Sequence, residues 1–137
     1  MKKIISVAFV FLIFSSCSLE EDTGSNFNLE IMPITNVVVP EEFIRGNTYE
    51  ISTSYNRPSD CYQFNEFIFS VDGNERSVAI VNTVYFQSSG CVSEPEEVTV
   101  SFNFTVTSLE THIFKFYQGV DESGIDQYQI VEVPVVE

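Results

Sequence analysis

The carboxylates of this chain gather in two places where oxygen chemistry is conceivable. Asp121-Glu122-Ser123-Gly124-Ile125-Asp126 sets three of them, Asp121, Glu122 and Asp126, around a glycine, a spacing at which a hard cation such as calcium collects ligands. The run is half an EF-hand loop without a distal bidentate glutamate, so a solvated acidic hairpin is the stronger reading and no metal is assigned. Glu94-Pro95-Glu96-Glu97 forms the second cluster, which serves solubility as readily as ligation. His112 is the only histidine, so any Ser-His-Asp or Cys-His nucleophile would have to be built on it. No Gly-x-Ser-x-Gly elbow presents a serine, and Ile113-Phe114-Lys115-Phe116 places His112 at the start of a strand as a half-exposed residue. Tyr62, Phe64, Phe67 and Phe69 crowd four aromatics into one short stretch. If alternation holds they divide between two faces, and an outward pair would suit sugar rings, although aromatics more often fill cores.

The first residues are an address rather than a fold. Met1-Lys2-Lys3 supplies a positive start and Ile4 to Phe14 an apolar run interrupted only by Ser6, the layout of a signal peptide. The run is too short for a membrane-spanning helix, which needs about 20 apolar residues. Its end, Phe14-Ser15-Ser16-Cys17, resembles the lipobox of bacterial lipoproteins, with Phe14 where leucine is usual. That resemblance implies cleavage before Cys17, a thioether-linked diacylglycerol on its sulfur and an N-acyl chain such as palmitate. Several chains together anchor stably where one binds only marginally. Ser18-Leu19-Glu20-Glu21-Asp22 in turn resembles the acidic export signal of Bacteroidota-type surface lipoproteins, which implies an outer-membrane protein facing outward. A solvated linker is the plainer reading of the same acids.

Asp22-Thr23-Gly24 matches the triplet of aspartic proteases. Those carboxylates are buried in pairs, whereas this one stands among acids with no apolar strand before it. With Cys17 assigned to lipid, Cys61 and Cys91 remain, and two cysteines in an oxidising compartment are most simply a disulfide. A pair of buried free thiols is the alternative. One histidine and a bridged cysteine pair cannot supply the four ligands of a zinc site.

Beyond residue 16 the chain carries 20 acidic and 4 basic residues, a formal charge of −16. Nucleic acid is excluded as a natural partner, because Arg45, Arg57, Arg76 and Lys115 are scattered singly instead of forming a phosphate-binding patch. Anionic head groups are repelled too, which leaves the lipid to hold the membrane.

The elements that position these residues are strands. Residues 17–28 have tether composition and the domain is expected over 29–137. Val98 to Val106 alternates apolar and polar without a fault, the pattern of a strand with one face in water. Tyr49 to Tyr55, Tyr62 to Val71, Arg76 to Phe86, His112 to Tyr117 and Tyr128 to Val135 supply five more, with an opening strand in Leu29 to Val39 bent by Pro33. The phase shift between Phe64 and Phe67 predicts a β-bulge, and Asp72-Gly73 predicts a hairpin. Seven short strands at this rhythm resemble an immunoglobulin-like or fibronectin-like sandwich, with a small closed barrel as the alternative. The cysteines do not follow the antibody pattern, and no Trp is present.

The expectation is therefore a non-catalytic, lipid-anchored surface protein without a cofactor, whose single domain binds a protein or glycan partner through loops near residues 56–61, 87–96 and 119–126. A structural subunit of an envelope complex, using an exposed strand edge, is the second hypothesis. A hydrolase with a carboxylate pair in a cleft is the third.

Overall fold

The computed structural model describes residue 24 and residues 26–137. The leader of residues 1–16, Cys17, the acidic run behind it and Asp22-Thr23 lie outside the described residues.

The described chain is all-β. Its strands are β1 (Phe27–Met32), β2 (Ile34–Val38), β3 (Phe43–Ile44), β4 (Thr48–Arg57), β5 (Tyr62–Asp72), β6 (Glu75–Tyr85), β7 (Glu96–Thr105), β8 (His112–Val120), β9 (Asp126–Val133) and β10 (Val135–Val136). Three more strands form than the seven expected, for identifiable reasons. Pro33 and Pro134 have no N–H to give a ladder, so each splits one expected strand into two. The third is the two-residue β3, which pairs parallel with β10. β1 also begins at Phe27, two residues before the expected boundary, and extends the domain into the tether.

Two sheets pack face to face. In the larger, β5 lies on one side of β6, and the other side is shared. There β1 pairs antiparallel along Ile80 to Tyr85 and β8 pairs parallel along Glu75 to Val78, with β9 beyond β8. The smaller sheet runs β2-β4-β7. The break at Pro33 lets one stretch of chain serve both sheets, β1 in the first and β2 in the second. The parallel β6–β8 pair distinguishes this sandwich from the all-antiparallel antibody type, so the likeness is one of broad architecture.

The interior is aromatic. Phe43 is fully buried, and its ring meets those of Tyr49, Phe104, His112 and Phe114 at centroid separations of 4.9, 5.5, 5.9 and 6.2 Å. His112 belongs to this cluster, which corrects the half-exposed position expected from its neighbours. It is 1% exposed, edge-on to Phe104 at 5.1 Å, and its Nδ1 bonds the Glu110 carbonyl oxygen at 2.8 Å. Facing Val133 across the ladder, it occupies the inward phase of β8 together with Phe114 and Phe116. Tyr55 is buried as well, and loss of water pushes its phenol above the usual range, opposed by the nearby Asn82 amide and the Arg57 guanidinium.

The bulge in β5 falls where the phase shift predicts it, between Phe64 and Glu66. Its consequence differs from simple alternation. Residues opposite each other on a ladder share a face, and Tyr62, Phe64, Phe67 and Phe69 stand opposite Val84, Asn82, Ile80 and Val78. Ile80, Asn82 and Val78 point into the sandwich, so all four aromatics do too. The extra residue restores the phase instead of dividing the set between faces. At the hairpin that follows, Gly73 takes φ 59° while Asn74 has no positive φ, a type II′ turn that requires glycine in its first central position.

Candidate functional site

The four aromatics of β5 turn toward the other sheet, with Phe64 and Phe69 still partly exposed at its edge; further exposed chemistry lies on the opposite, outer face of the larger sheet. The register fixes its membership. Leu29 and Ile31 of β1 face Thr83 and Val81, Ile68 and Ser70 of β5 face Ala79 and Ser77, Ser77 faces Lys115, and Lys115 and Tyr117 face Ile130 and Tyr128. A sandwich of this kind normally turns polar residues outward here. Instead Leu29, Ile31, Ile68 and Ile130 are between 45% and 60% exposed.

Part of this face forms a groove of about 250 Å³, lined by Ile31, Ile68, Ala79, Tyr117 and Tyr128, with Ser70, Ser77 and Asp126 supplying polar groups. The tyrosines meet edge to face at 5.9 Å and the Lys115 ammonium sits 5.0 Å from the centre of the Tyr128 ring. Tyr128 is thereby held by a ring edge and a cation, both favourable with an aromatic quadrupole. The ladder slips just past this pair, between Tyr117 and Gly119. Gly119 takes φ 100°, and a β-carbon there would come 3.4 Å from Pro33, so glycine allows both the bulge and the close approach of the strand break. This combination of apolar walls, paired aromatic rings and a few convergent polar groups is the common composition of a ligand site.

The calcium candidates do not converge. One Asp121 carboxylate oxygen accepts from the Ser123 and Ile125 amides at 2.8 and 3.0 Å, and the other accepts from Gln127 Nε2 at 3.3 Å. Glu122 is exposed, and Asp126 faces the groove. Asp121 is thus the internal brace of the β8–β9 hairpin. Replacing it by alanine is expected to lower stability by about 1 kcal/mol. Calcium is expected to leave the melting temperature of both proteins unchanged; a rise in the parent that is lost in Asp121→Ala would restore the metal reading.

Cys61 and Cys91 form a disulfide, with Cα atoms 5.6 Å apart. Around it the Val92 amide donates to Asp60 Oδ1 at 2.8 Å, and the Asp60 amide donates to the Val92 carbonyl at 3.2 Å. Among the described residues, the one set of side chains close enough to share a metal is Asp60, Cys61 and Cys91. Its sulfurs are bonded to each other. Glu96 forms an ion pair with Arg57, and a separate polar hollow lined by Arg57, Asp60, Glu94 and Glu96 lies beside the disulfide.

Sequence reasoning missed the tyrosine face. Its signal was present in β8 and β9, where apolar residues stand in both alternating sets: Phe114 and Phe116 inward, Ile113 and Tyr117 outward on either side of Lys115, then Val131 and Val133 against Tyr128 and Ile130. No known protein family, curated protein or solved structure matches the chain.

Proposed function

We propose that this chain is a lipid-anchored protein of the bacterial outer membrane, displayed at the cell surface, whose sandwich binds its target without transforming it. The target class that suits the groove is an uncharged glycan. What supports this reading above all is the Tyr117–Tyr128 pair, set beside serine hydroxyls and the Asp126 carboxylate. Sugar rings offer apolar C–H faces to aromatic rings and hydroxyls to polar groups, and a strongly acidic body disfavours an anionic ligand. The lipobox-like segment ending at Cys17 supplies the anchor in this account.

A glycan array probed with the chain from residue 17 onward, carrying Cys17→Ser, tests the ligand class. Binding to neutral glycans is expected, with Tyr128→Ala weakening it at least about tenfold, the range of a central aromatic contact. Capture of no glycan, or capture indifferent to both Tyr117→Ala and Tyr128→Ala, would remove the reading. A second reading, an assembly subunit that joins other chains by strand addition, is favoured by the outer edge of β7, which no strand among the described residues pairs.

A further inference from the structure

Strand β7 ends the smaller sheet. It pairs with β4 along its whole length, from Glu96 opposite Arg57 to Thr105 opposite Thr48, and among the described residues no strand pairs with its other edge. None of its ten residues is buried. Natural sheets blunt such edges with charged side chains, prolines or bulges; β7 has charges only at one end, Glu96 and Glu97 behind Pro95, and no bulge, proline or charge along the rest. The edge strand lying over it in the other sheet, β5, is bulged. Between the two edges the rings of Phe67 and Phe69 meet Phe102 at 5.1 and 4.9 Å, yet Phe69 is half exposed. A flat edge therefore sits beside an incompletely covered aromatic seam.

The order of residues along β7 suits one occupant, a second copy of β7. In an antiparallel pair centred on Ser101, Val100 lies opposite Phe102 of the second copy and Val98 opposite its Phe104. Those pairs fall on the face that Phe102 turns toward the seam. On the other face Ser101 meets Ser101, Thr99 meets Asn103 and Glu97 meets Thr105. Apolar residues meet apolar and polar meet polar, as in any residue-centred antiparallel pair of an alternating strand, and centring on Ser101 keeps the carboxylates from facing one another, the condition for favourable cross-strand pairs. The strand's two acids are Glu96 and Glu97, both at one end. Antiparallel pairing sends the two ends apart, and Arg57 already neutralises Glu96.

We infer that two copies of this chain join through β7 in this register, extending the smaller sheets into one sheet of six strands and covering Phe69 and Phe102 of both. The bodies each carry −16, so association strengthens as salt screens their repulsion. This inference stands apart from the glycan reading and uses the other sheet.

The test uses the chain from residue 17 with Cys17→Ser, examined by sedimentation velocity and by cross-linking. A doubled mass at high concentration is expected, with the dimer tightening as salt rises. Ser101→Cys is expected to cross-link into a covalent dimer with oxidised glutathione, the two thiols passing their electrons to it. Cross-strand cysteines meet the separation a disulfide requires. Ser101→Lys, with two ammonium groups on the axis, is expected to weaken the dimer about tenfold or more. A monomer at every concentration would overturn the inference. So would a dimer that survives Ser101→Lys and does not cross-link through Ser101→Cys, since it would use another face. Ser101 loses only its hydroxyl contact with Ser52 in either variant, and a circular dichroism spectrum checks that the fold persists. Should Ser101→Lys fail to fold, Thr99→Lys applies the same test one pair away.

Discussion

Cells expressing Cys17→Ser are expected to incorporate no labelled acyl chain into this protein, where the parent incorporates it fully. The formal charge of −16 beyond residue 16 opposes anionic head groups, and among the described residues no helix is long and apolar enough to cross a membrane. Each methylene transferred to the bilayer contributes about 0.8 kcal/mol, so two or three chains hold a protein where one exchanges freely. Mass spectrometry of the parent should accordingly find an N-terminal peptide that begins at Cys17 and carries a diacylglycerol. A parent whose mature N-terminus lies elsewhere, with Cys17 unmodified, would end the lipoprotein reading and leave an ordinary secreted domain.

Removal of the disulfide has the second large effect. Cys61 and Cys91 are 30 residues apart, and closing a loop of that length lowers the entropy of the unfolded chain enough to stabilise the fold by about 3–4 kcal/mol. The double variant Cys61→Ala/Cys91→Ala is therefore expected to lose about that much in denaturant titration, or roughly 15 °C in melting temperature for a domain of this size. The bridge also sets local structure, since the Phe86–Pro95 segment returns to β5 through it and through the Asp60–Val92 hydrogen bonds. Proteolysis of the double variant should begin in that segment. A loss below about 1 kcal/mol would mean that the unfolded chain is already compact around these residues.

Features set by neighbours along the chain are legible in the residues themselves. The faultless alternation of Val98 to Val106, the Asp72-Gly73 hairpin and the bulge near Asn65 each follow from a few adjacent side chains. The pairing of Cys61 with Cys91 follows from counting, once Cys17 is read as lipidated. What escapes such reading is set by distant contacts. Nothing local announces that β8 will lie parallel to β6 rather than beside β5, and that pairing brings β8 and β9 into the larger sheet and so assembles the tyrosine face. His112 begins its strand in the inward phase because Phe43 and Phe104 complete a cavity around it, and both arrive from elsewhere in the chain. The four aromatics of β5 stand out as a group in the sequence, but simple alternation divides them wrongly between faces. Their common inward face emerges only when the phase is followed through the bulge.

The acidic loops, whose composition points to ligands, have other duties. Asp121 braces a hairpin, Asp60 fastens a loop beside the disulfide, and Glu96 pairs with Arg57. The exposed apolar face of the larger sheet stands on strands, which hold aromatic rings more rigidly than loops do.

The binding claim is tested most directly by titrating the isotopically labelled chain with whichever neutral glycan it captures and following backbone amide resonances. Shifts concentrated at Ser70, Ser77, Tyr117, Asp126 and Tyr128 are the predicted result. Shifts confined to residues 58–61 and 86–95, with the tyrosine face unmoved, would contradict it.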